Sequence, residues 1–223
     1  MGNAIGQMLA SALGIAISPL PLIAVILLLS TPRGRSNGVA FTLGWTGAVA
    51  VVSAVIVAFG GGMQTAGQPA DWTLWLKLAL GVVFLLLAWK QWRNRPREGH
   101  EAEPSAWMRT IDQFTPAKSA ALAAALAVAN PKNLVLTVGG AVSIASSGAD
   151  GAGKTVAVVL MVVLASLCTT LPLGVYLLGG DRSTSVLQNW KSWMAQHNAA
   201  IMIVVLVVLG AKYIGDALSG LTT

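Results

Sequence analysis

The chain has 223 residues, of which 55% are hydrophobic and 10% are charged, and its formal net charge is +6. A mean hydropathy of +0.72, with several apolar runs of the roughly 20 residues that a helix needs to cross a bilayer, predicts an integral membrane protein. Little chain is left for a soluble domain, so the positive charge is better explained by membrane orientation than by nucleic-acid binding.

In chain order, the apolar runs predict six membrane-crossing helices, which are named spans 1 to 6. Pro172 is expected to kink span 5 where it frees the carbonyl of Cys168. Between spans 5 and 6, residues 183–196 predict an amphipathic helix on the membrane surface. The spans cover about residues 5–31, 37–59, 72–92, 116–146, 154–178 and 198–219.

The spans divide into two halves. Residues 1–93 form a first three-helix repeat, 94–115 a cytoplasmic linker, and 116–223 a second three-helix repeat that includes the surface helix. Because three is an odd number, a duplicated half inserts upside down, which predicts an all-α fold of two inverted repeats. Lys and Arg concentrate in the segments after spans 1, 3 and 5, whereas the loops of the other side carry only Lys154. The positive-inside rule therefore predicts that both termini lie outside the cytoplasm.

Spans 1 and 4 contain polar interruptions with proline, Ser18-Pro19-Leu20-Pro21 and Asn130-Pro131-Lys132-Asn133. Proline has no N–H and frees the carbonyl four residues earlier. Interrupted helices at corresponding places in two halves are the best sequence indication of a transporter's binding site. We therefore predict that both spans are broken at these prolines. The predicted substrate-binding residues are Ser18, Pro19, Pro21, Asn130, Pro131, Lys132 and Asn133.

Lys132 is the most unusual of these residues, because a lysine at the centre of a bilayer costs roughly 2.5–3.5 kcal/mol on insertion scales. Two functional roles are open. Lys132 could attract an anionic head group, helped by the positive N-terminal end of the half-helix that follows it. Alternatively, it could bind and release a proton during a transport cycle. The structural alternative is that Lys132 donates to carbonyls freed by the prolines while the asparagines join helices.

A second charged group is expected at the external ends of spans 3 and 6. It contains Asp71, Lys77, Lys212 and Asp216. Lys212 and Asp216 are four residues apart and can form an ion pair on one helix face. A local ion pair is one interpretation of this group, and an external vestibule that passes a charged head group is the other.

Several motifs are not assigned a chemical role. Gly148–Thr155 matches the phosphate-loop pattern, but it lies between two spans on the predicted external side, so ATP binding is rejected. The sequence has no nucleophile–base pair, no cysteine–histidine cluster and no paired carboxylates in an apolar setting, so we predict no enzyme, cofactor or metal site. Cys168 is interpreted as a small buried side chain, and the eight tryptophans, Trp45 among them, as mostly an aromatic belt.

Four short phrases together resemble the lysine exporter (LysE) superfamily and, within it, the GAP or Sap branch of peptidoglycolipid and sulfolipid addressing proteins. They are Ile17–Pro21, Leu28–Gly34, Ala129–Leu134 and Leu171–Leu173. The similarity covers essentially the whole chain. It implies export across the bacterial inner membrane along a path lined by the two breaks, an association with cell-envelope glycolipids, and a homodimer. The chain lacks an acidic intramembrane cluster, which disfavours a metal substrate.

Three functions remain open. The first is a transporter that exports an envelope glycolipid or lipid precursor, whose acyl chains stay in the bilayer while its head group passes Lys132. The second is an exporter of small solutes such as amino acids, with a closed aqueous cavity. The third is a non-transporting adaptor for a larger lipid exporter, docked through residues 183–196 and the Arg93–Arg109 segment. The bilayer is a partner in every case, and nucleic acid in none.

Overall fold

The computed structural model describes residues 2–60, 71–93 and 111–221, and these residues contain nine α-helices, two short 3₁₀ turns and no strand. The loop at 61–70 and most of the predicted cytoplasmic linker, including its adaptor-docking segment, lie outside the described residues. The helices are α1 (Gly2–Ala16), α2 (Pro19–Leu29), α3 (Gly34–Gly60), α4 (Asp71–Arg93), α5 (Pro116–Val128), α6 (Pro131–Ala145), α7 (Gly151–Ala165), α8 (Leu167–Leu178) and α9 (Ser183–Leu221).

Between two and five membrane spans are supported by helix length and apolar composition in the described part of the chain. Helices α3 and α9 each qualify alone. Three further pairs qualify when each pair is counted as one span, and each is bent at a short break. The bends are 41° between α1 and α2, 69° between α5 and α6, and 57° between α7 and α8.

The first two breaks coincide with the predicted proline interruptions and have nearly the same backbone geometry. Ser18 precedes α2 with φ −81° and ψ 115°, and Asn130 precedes α6 with φ −78° and ψ 113°. Both are extended residues followed by a proline at the first helical position, where the missing N–H has no helical partner to lose. The sequence thus encodes two similar helix starts.

The third break differs from the expectation for Pro172. Helix α8 continues through Pro172, and the bend lies at Ser166, two residues before the carbonyl of Cys168. The backbone N–H and hydroxyl groups of Thr169 and Thr170 all donate to the Ser166 carbonyl at 2.9–3.0 Å. Hydroxyl groups that compete for backbone carbonyls bend helices. This cluster, and not the proline, therefore marks the position of the bend.

The last helix also differs from the prediction. The surface helix at 183–196 and span 6 are one continuous helix, the 39-residue α9. At 1.5 Å per residue it is about 58 Å long, roughly twice the hydrocarbon thickness of a bilayer. Its amphipathic first part is therefore an extension of the apolar part and not a separate element.

Small residues allow the helices to pack closely. Helix α4 packs antiparallel along α9, and a Cβ on Gly81 would lie only 3.0 Å from the carbonyl oxygen of Gly210. Helix α3 packs on α5, where a Cβ on Gly44 would collide with the backbone of Ala120. Interfaces of this type bring helix backbones together without a hydrophobic driving force between them.

Basic residues gather at one end of the bundle, which is named the basic end. Helices α2 and α8 end there and α3 and α9 begin there: Gly38 lies beside Leu173, and the Gln188 side chain donates to the Ser30 hydroxyl at 3.5 Å. The described basic residues on this end are Arg33, Arg35, Lys118, Arg182 and Lys191, and α4 runs toward the same end with Lys90 and Arg93 in its last turn. The opposite end, where Gly60 meets Ala145, has far fewer.

Candidate functional site

The two proline breaks meet inside the bundle. The Lys132 ammonium donates to the Ser18 hydroxyl at 2.8 Å, and that hydroxyl donates to Oδ1 of Asn133 at 2.7 Å. All three side chains are buried. The first turn of α6 is thereby joined to the residue that precedes α2, and Ser18, Lys132 and Asn133 are together named the break site.

The asparagines at the second break satisfy the backbone that the break exposes. The Asn133 side-chain amide donates to the Leu126 carbonyl near the end of α5 at 3.3 Å. Oδ1 of Asn130 accepts the Lys132 N–H at 3.1 Å and caps α6. In a bilayer such backbone groups have no water to bond with, so side chains must take its place. These contacts give both asparagines a structural role.

The Lys132 side chain is not one of the groups that satisfy the backbone at the break. Its side chain is 3% exposed, and its hydrogen-bond partner is a neutral hydroxyl. The ion pair found among the described residues joins Lys212 to Asp216, so no described carboxylate pairs with Lys132. A buried cation without a counter-charge is unfavourable, and the N-terminal ends of α2 and α6 add positive potential. The arrangement therefore favours an anionic ligand group.

The prolines and Asn130, which lie next to the break site in the sequence, differ in how deeply they are buried. Pro19 and Pro21 are buried in α2, whereas Asn130 is half-buried and Pro131 is exposed. The sequence therefore located all seven residues at the breaks, but only Ser18, Lys132 and Asn133 are joined by direct side-chain contacts across them.

A third polar region, missed by the sequence analysis, holds the break between α7 and α8. Nε1 of Trp45 donates to the Ala165 carbonyl at 3.1 Å, and the Thr46 hydroxyl donates to the Ser166 hydroxyl at 3.0 Å. Trp45 is fully buried, so its assignment to an aromatic belt is wrong. The available signal was the cluster of Ser166, Thr169 and Thr170 within an apolar run. The buried thiol of Cys168 lies in the same turn, and α8, which begins at this break, packs against α2, the helix that follows Ser18.

Above the break site, toward the opposite end, the bundle is closed. Leu136 and Leu209 pack against Gly14, at 3.0 and 3.2 Å from where its Cβ would be. Farther out, the hydroxyls of Ser11 and Tyr213 lie 3.3 Å apart. Gly139 leaves room for this pair, because a Cβ there would overlap the Tyr213 hydroxyl. An apolar layer and then a polar layer therefore separate the break site from the opposite end.

The predicted vestibule residues are only partly brought together. The Lys212 ammonium lies 2.6 Å from Oδ2 of Asp216, as a local ion pair on α9. Lys77 is half-buried on α4 and makes no ion pair with a described residue. The side chain of Asp71 lies outside the described residues. The contacts support the ion-pair interpretation for Lys212 and Asp216 and provide no vestibule geometry.

The phosphate-loop pattern forms a capped helix start. Asp150 precedes α7, and its Oδ1 accepts the Gly153 N–H at 2.9 Å. A carboxylate thus occupies the helix N-terminus that a phosphate would require. In the residues that the structure describes, no three His, Cys, Asp or Glu side chains are grouped so that they could hold a metal ion.

The sequence model of the family described as Sap, sulfolipid-1-addressing protein (SfLAP), matches residues 8–219. No curated protein and no solved structure matches the chain. The matched range contains the break site, the Ser166 break and the Ser11–Tyr213 pair.

Proposed function

Since the chain belongs to the Sap, sulfolipid-1-addressing protein, family, we propose that it exports an anionic envelope glycolipid or lipid precursor across the bacterial inner membrane. The family description names a sulfolipid, and the sulfo group of such a lipid is anionic. The observation that supports this proposal most directly is Lys132, a buried cation with a neutral hydroxyl partner and no described carboxylate beside it.

The architecture in this proposal has six spans in two inverted repeats, as in the lysine exporter superfamily. Helix α4 is the additional span, because its 23 residues reach about 34 Å and it lies along α9. Exchange of the halves replaces α1–α2 by α5–α6 and α3 by α7–α8. Under that exchange the packing of α3 on α5 corresponds to the packing of α7 on α1, and both packings are present. The matching backbone angles at Ser18 and Asn130 also favour it.

The orientation in this proposal places the basic end in the cytoplasm and both termini outside it. Lys and Arg are retained on the cytoplasmic side of membrane proteins; five described basic residues lie on that end, and two more are in the last turn of α4, which runs toward it. The amphipathic start of α9 then lies at the cytoplasmic interface, since its tryptophans suit the boundary between lipid and water.

In the proposed mechanism, the substrate's anionic group crosses at the break site while its acyl chains remain in lipid. The Lys132 ammonium and the start of α6 provide charge where a bilayer otherwise opposes an anion. Outward release then requires Leu136 and Leu209 to separate and the Ser11–Tyr213 pair to open, because these layers close the bundle on that side. The chemistry is binding and conformational change, without bond breakage.

The test compares surface and internal envelope lipids in a deletion strain that carries wild-type protein, Lys132→Met or the control Lys118→Met. Lys118 is an exposed lysine on α5, so its variant controls for lost charge and for expression, which is matched by immunoblot. We expect wild type and Lys118→Met to restore the surface level of a lipid that the deletion strain retains inside. We expect Lys132→Met to restore about a tenth of it or less, as for loss of a central charged contact.

Two other outcomes point to the rival functions. Full restoration by Lys132→Met would remove the break site from the mechanism and favour an adaptor that recruits a larger exporter. Unchanged lipids in the deletion strain itself would instead favour export of a small anionic solute, which is then measured by efflux from loaded cells.

A further inference from the structure

A groove at the basic end is distinct from the break site. It runs between the first three turns of α3 and the last turns of α8, and its volume is about 700 Å³. This lies within the range of roughly 300–1,000 Å³ that is typical of ligand pockets. The side chains that define it are Arg33, Arg35, Val39, Ala40, Leu43 and Tyr176.

The groove changes from charged to apolar along α3. Arg33 and Arg35 are exposed at its outer edge, and neither makes an ion pair with a described residue. Leu43 lies eight residues farther along and is 67% exposed. At 1.5 Å per residue, Arg35 and Leu43 are about 12 Å apart along the helix axis. That spacing is comparable to the step from the head groups of a leaflet into its hydrocarbon.

We propose that this groove binds one anionic lipid of the leaflet at the basic end. The head-group phosphate or sulfate lies between Arg33 and Arg35, and an acyl chain lies along Val39, Ala40 and Leu43. Arginine recognises such oxyanions through paired N–H donors, and the N-terminus of α3 begins between the two arginines, at Gly34. Tyr176 is half-buried beside them, at the depth where aromatic side chains with a polar tip are favoured.

The apolar part of the groove selects a membrane lipid over a soluble anion. Leu43 continues into the exposed apolar residues Val51, Val55 and Phe59 on α3, so the groove opens toward the surface that lipid covers. A free phosphate would contact the arginines and leave this apolar wall unused. The proposal uses the membrane orientation given above, but it holds whether or not the bound lipid is the transported one.

The test uses the full chain, purified in mild detergent and incubated with phosphatidylglycerol that carries a diazirine on one acyl chain. After irradiation, peptide mapping is expected to find the label on residues 39–43 and on Tyr176. Retained phosphatidylglycerol is counted in parallel by native mass spectrometry. Two interfacial arginines are expected to contribute tenfold or more to retention, on the order of 1 kcal/mol for each.

Matched variants decide the outcome. Arg33→Gln with Arg35→Gln is expected to lower retention about tenfold or more. Lys90→Gln with Arg93→Gln removes the same charge outside the groove and is expected to lower retention less than about twofold, because charges that do not contact the head group are screened. Arg33→Lys with Arg35→Lys, which keeps the charge, is expected to restore part of the binding.

Three results would overturn the proposal. They are equal retention of phosphatidylcholine, equal loss in the Lys90 and Arg93 variant, and labelling of wild type outside the groove. Competition by millimolar inorganic phosphate that abolishes acyl-chain labelling would reassign the arginines to a soluble anion. Unchanged envelope lipids in the deletion strain, together with retention that depends on Arg33 and Arg35, would count against the transport proposal alone.

Discussion

The α5–α6 break and the α7–α8 break are two solutions to one problem, a helix bent by more than 50° within an apolar bundle. The α7–α8 break has no proline at the bend and is held by hydroxyl groups and by Trp45. The α5–α6 break has a proline, two asparagines and a lysine. The bends are similar, yet of these two breaks only the α5–α6 break contains a charged side chain, Lys132.

This difference distinguishes polar side chains that hydrogen-bond to the backbone groups exposed by a bend from polar side chains that the bend does not require. The Ser166 break shows that neutral groups suffice for a bend of 57°. Asn130 and Asn133 play the same part at the other break, since each bonds to a backbone group. Lys132 is the polar residue whose side chain does not bond to the backbone at the break. We therefore propose a substrate role for Lys132 and not for the asparagines.

The largest expected effect concerns Trp45, which holds the neutral break. Trp45→Ala is expected to lower the free energy of unfolding by about 3–5 kcal/mol, because it leaves a cavity at a fully buried site. Trp45→Phe keeps most of the packing and removes the bond to Ala165, so about 1 kcal/mol is expected. Reversible unfolding in mixed detergent micelles measures both. Equal losses for Ala and Phe would show that the hydrogen bond, and not the packing, dominates.

The next effect concerns the closed layer above the charged break. Gly139→Ala places a Cβ on the Tyr213 hydroxyl, and a forced overlap of this kind costs about 1–3 kcal/mol. Tyr213→Phe removes the overlapping oxygen but keeps the ring carbon Cζ, which lies 2.7 Å from that Cβ, so the double variant is expected to recover only part of the lost stability. The four proteins form a double-mutant cycle. Strict additivity in that cycle would mean that the two residues do not meet.

How much of this was predictable differs between the breaks. The proline breaks were predictable because proline at a helix start leaves a local signature in the sequence, Ser18-Pro19 and Asn130-Pro131. The Ser166 break was misplaced toward Pro172, because α8 continues through that proline while the hydroxyls of Thr169 and Thr170 bond to the Ser166 carbonyl at the bend. The partnership of Trp45 with Ala165 joins residues 120 positions apart, and no local pattern encodes it. For the same reason, the sequence located Ser18 and Lys132 but not their contact.

A smaller effect is expected for the asparagine that repairs the charged break. Asn133→Leu removes the bonds to Ser18 and to the Leu126 carbonyl. Buried hydrogen bonds in membrane bundles contribute about 0.6 kcal/mol each, and up to about 1.7, so a loss of about 1–2 kcal/mol is expected. The control is Gln196→Leu, an exposed amide on α9, for which a change within about 0.5 kcal/mol is expected. A loss no larger than that of the control would show that the break does not need its amide.

The smallest effect on stability is expected at Lys132, where the proposed effect on function is largest. Lys132→Met keeps about the same side-chain length and removes a buried charge. The free energy gained by removing that charge is expected to offset the lost hydrogen bond to Ser18. The free energy of unfolding should therefore stay within about 1 kcal/mol of wild type or rise. A loss of 3 kcal/mol or more in the same micelles would show that the lysine repairs the break after all. Stability preserved together with lost export would show that Lys132 serves function, whereas Trp45 at the other break is expected to act on stability through its bond to Ala165.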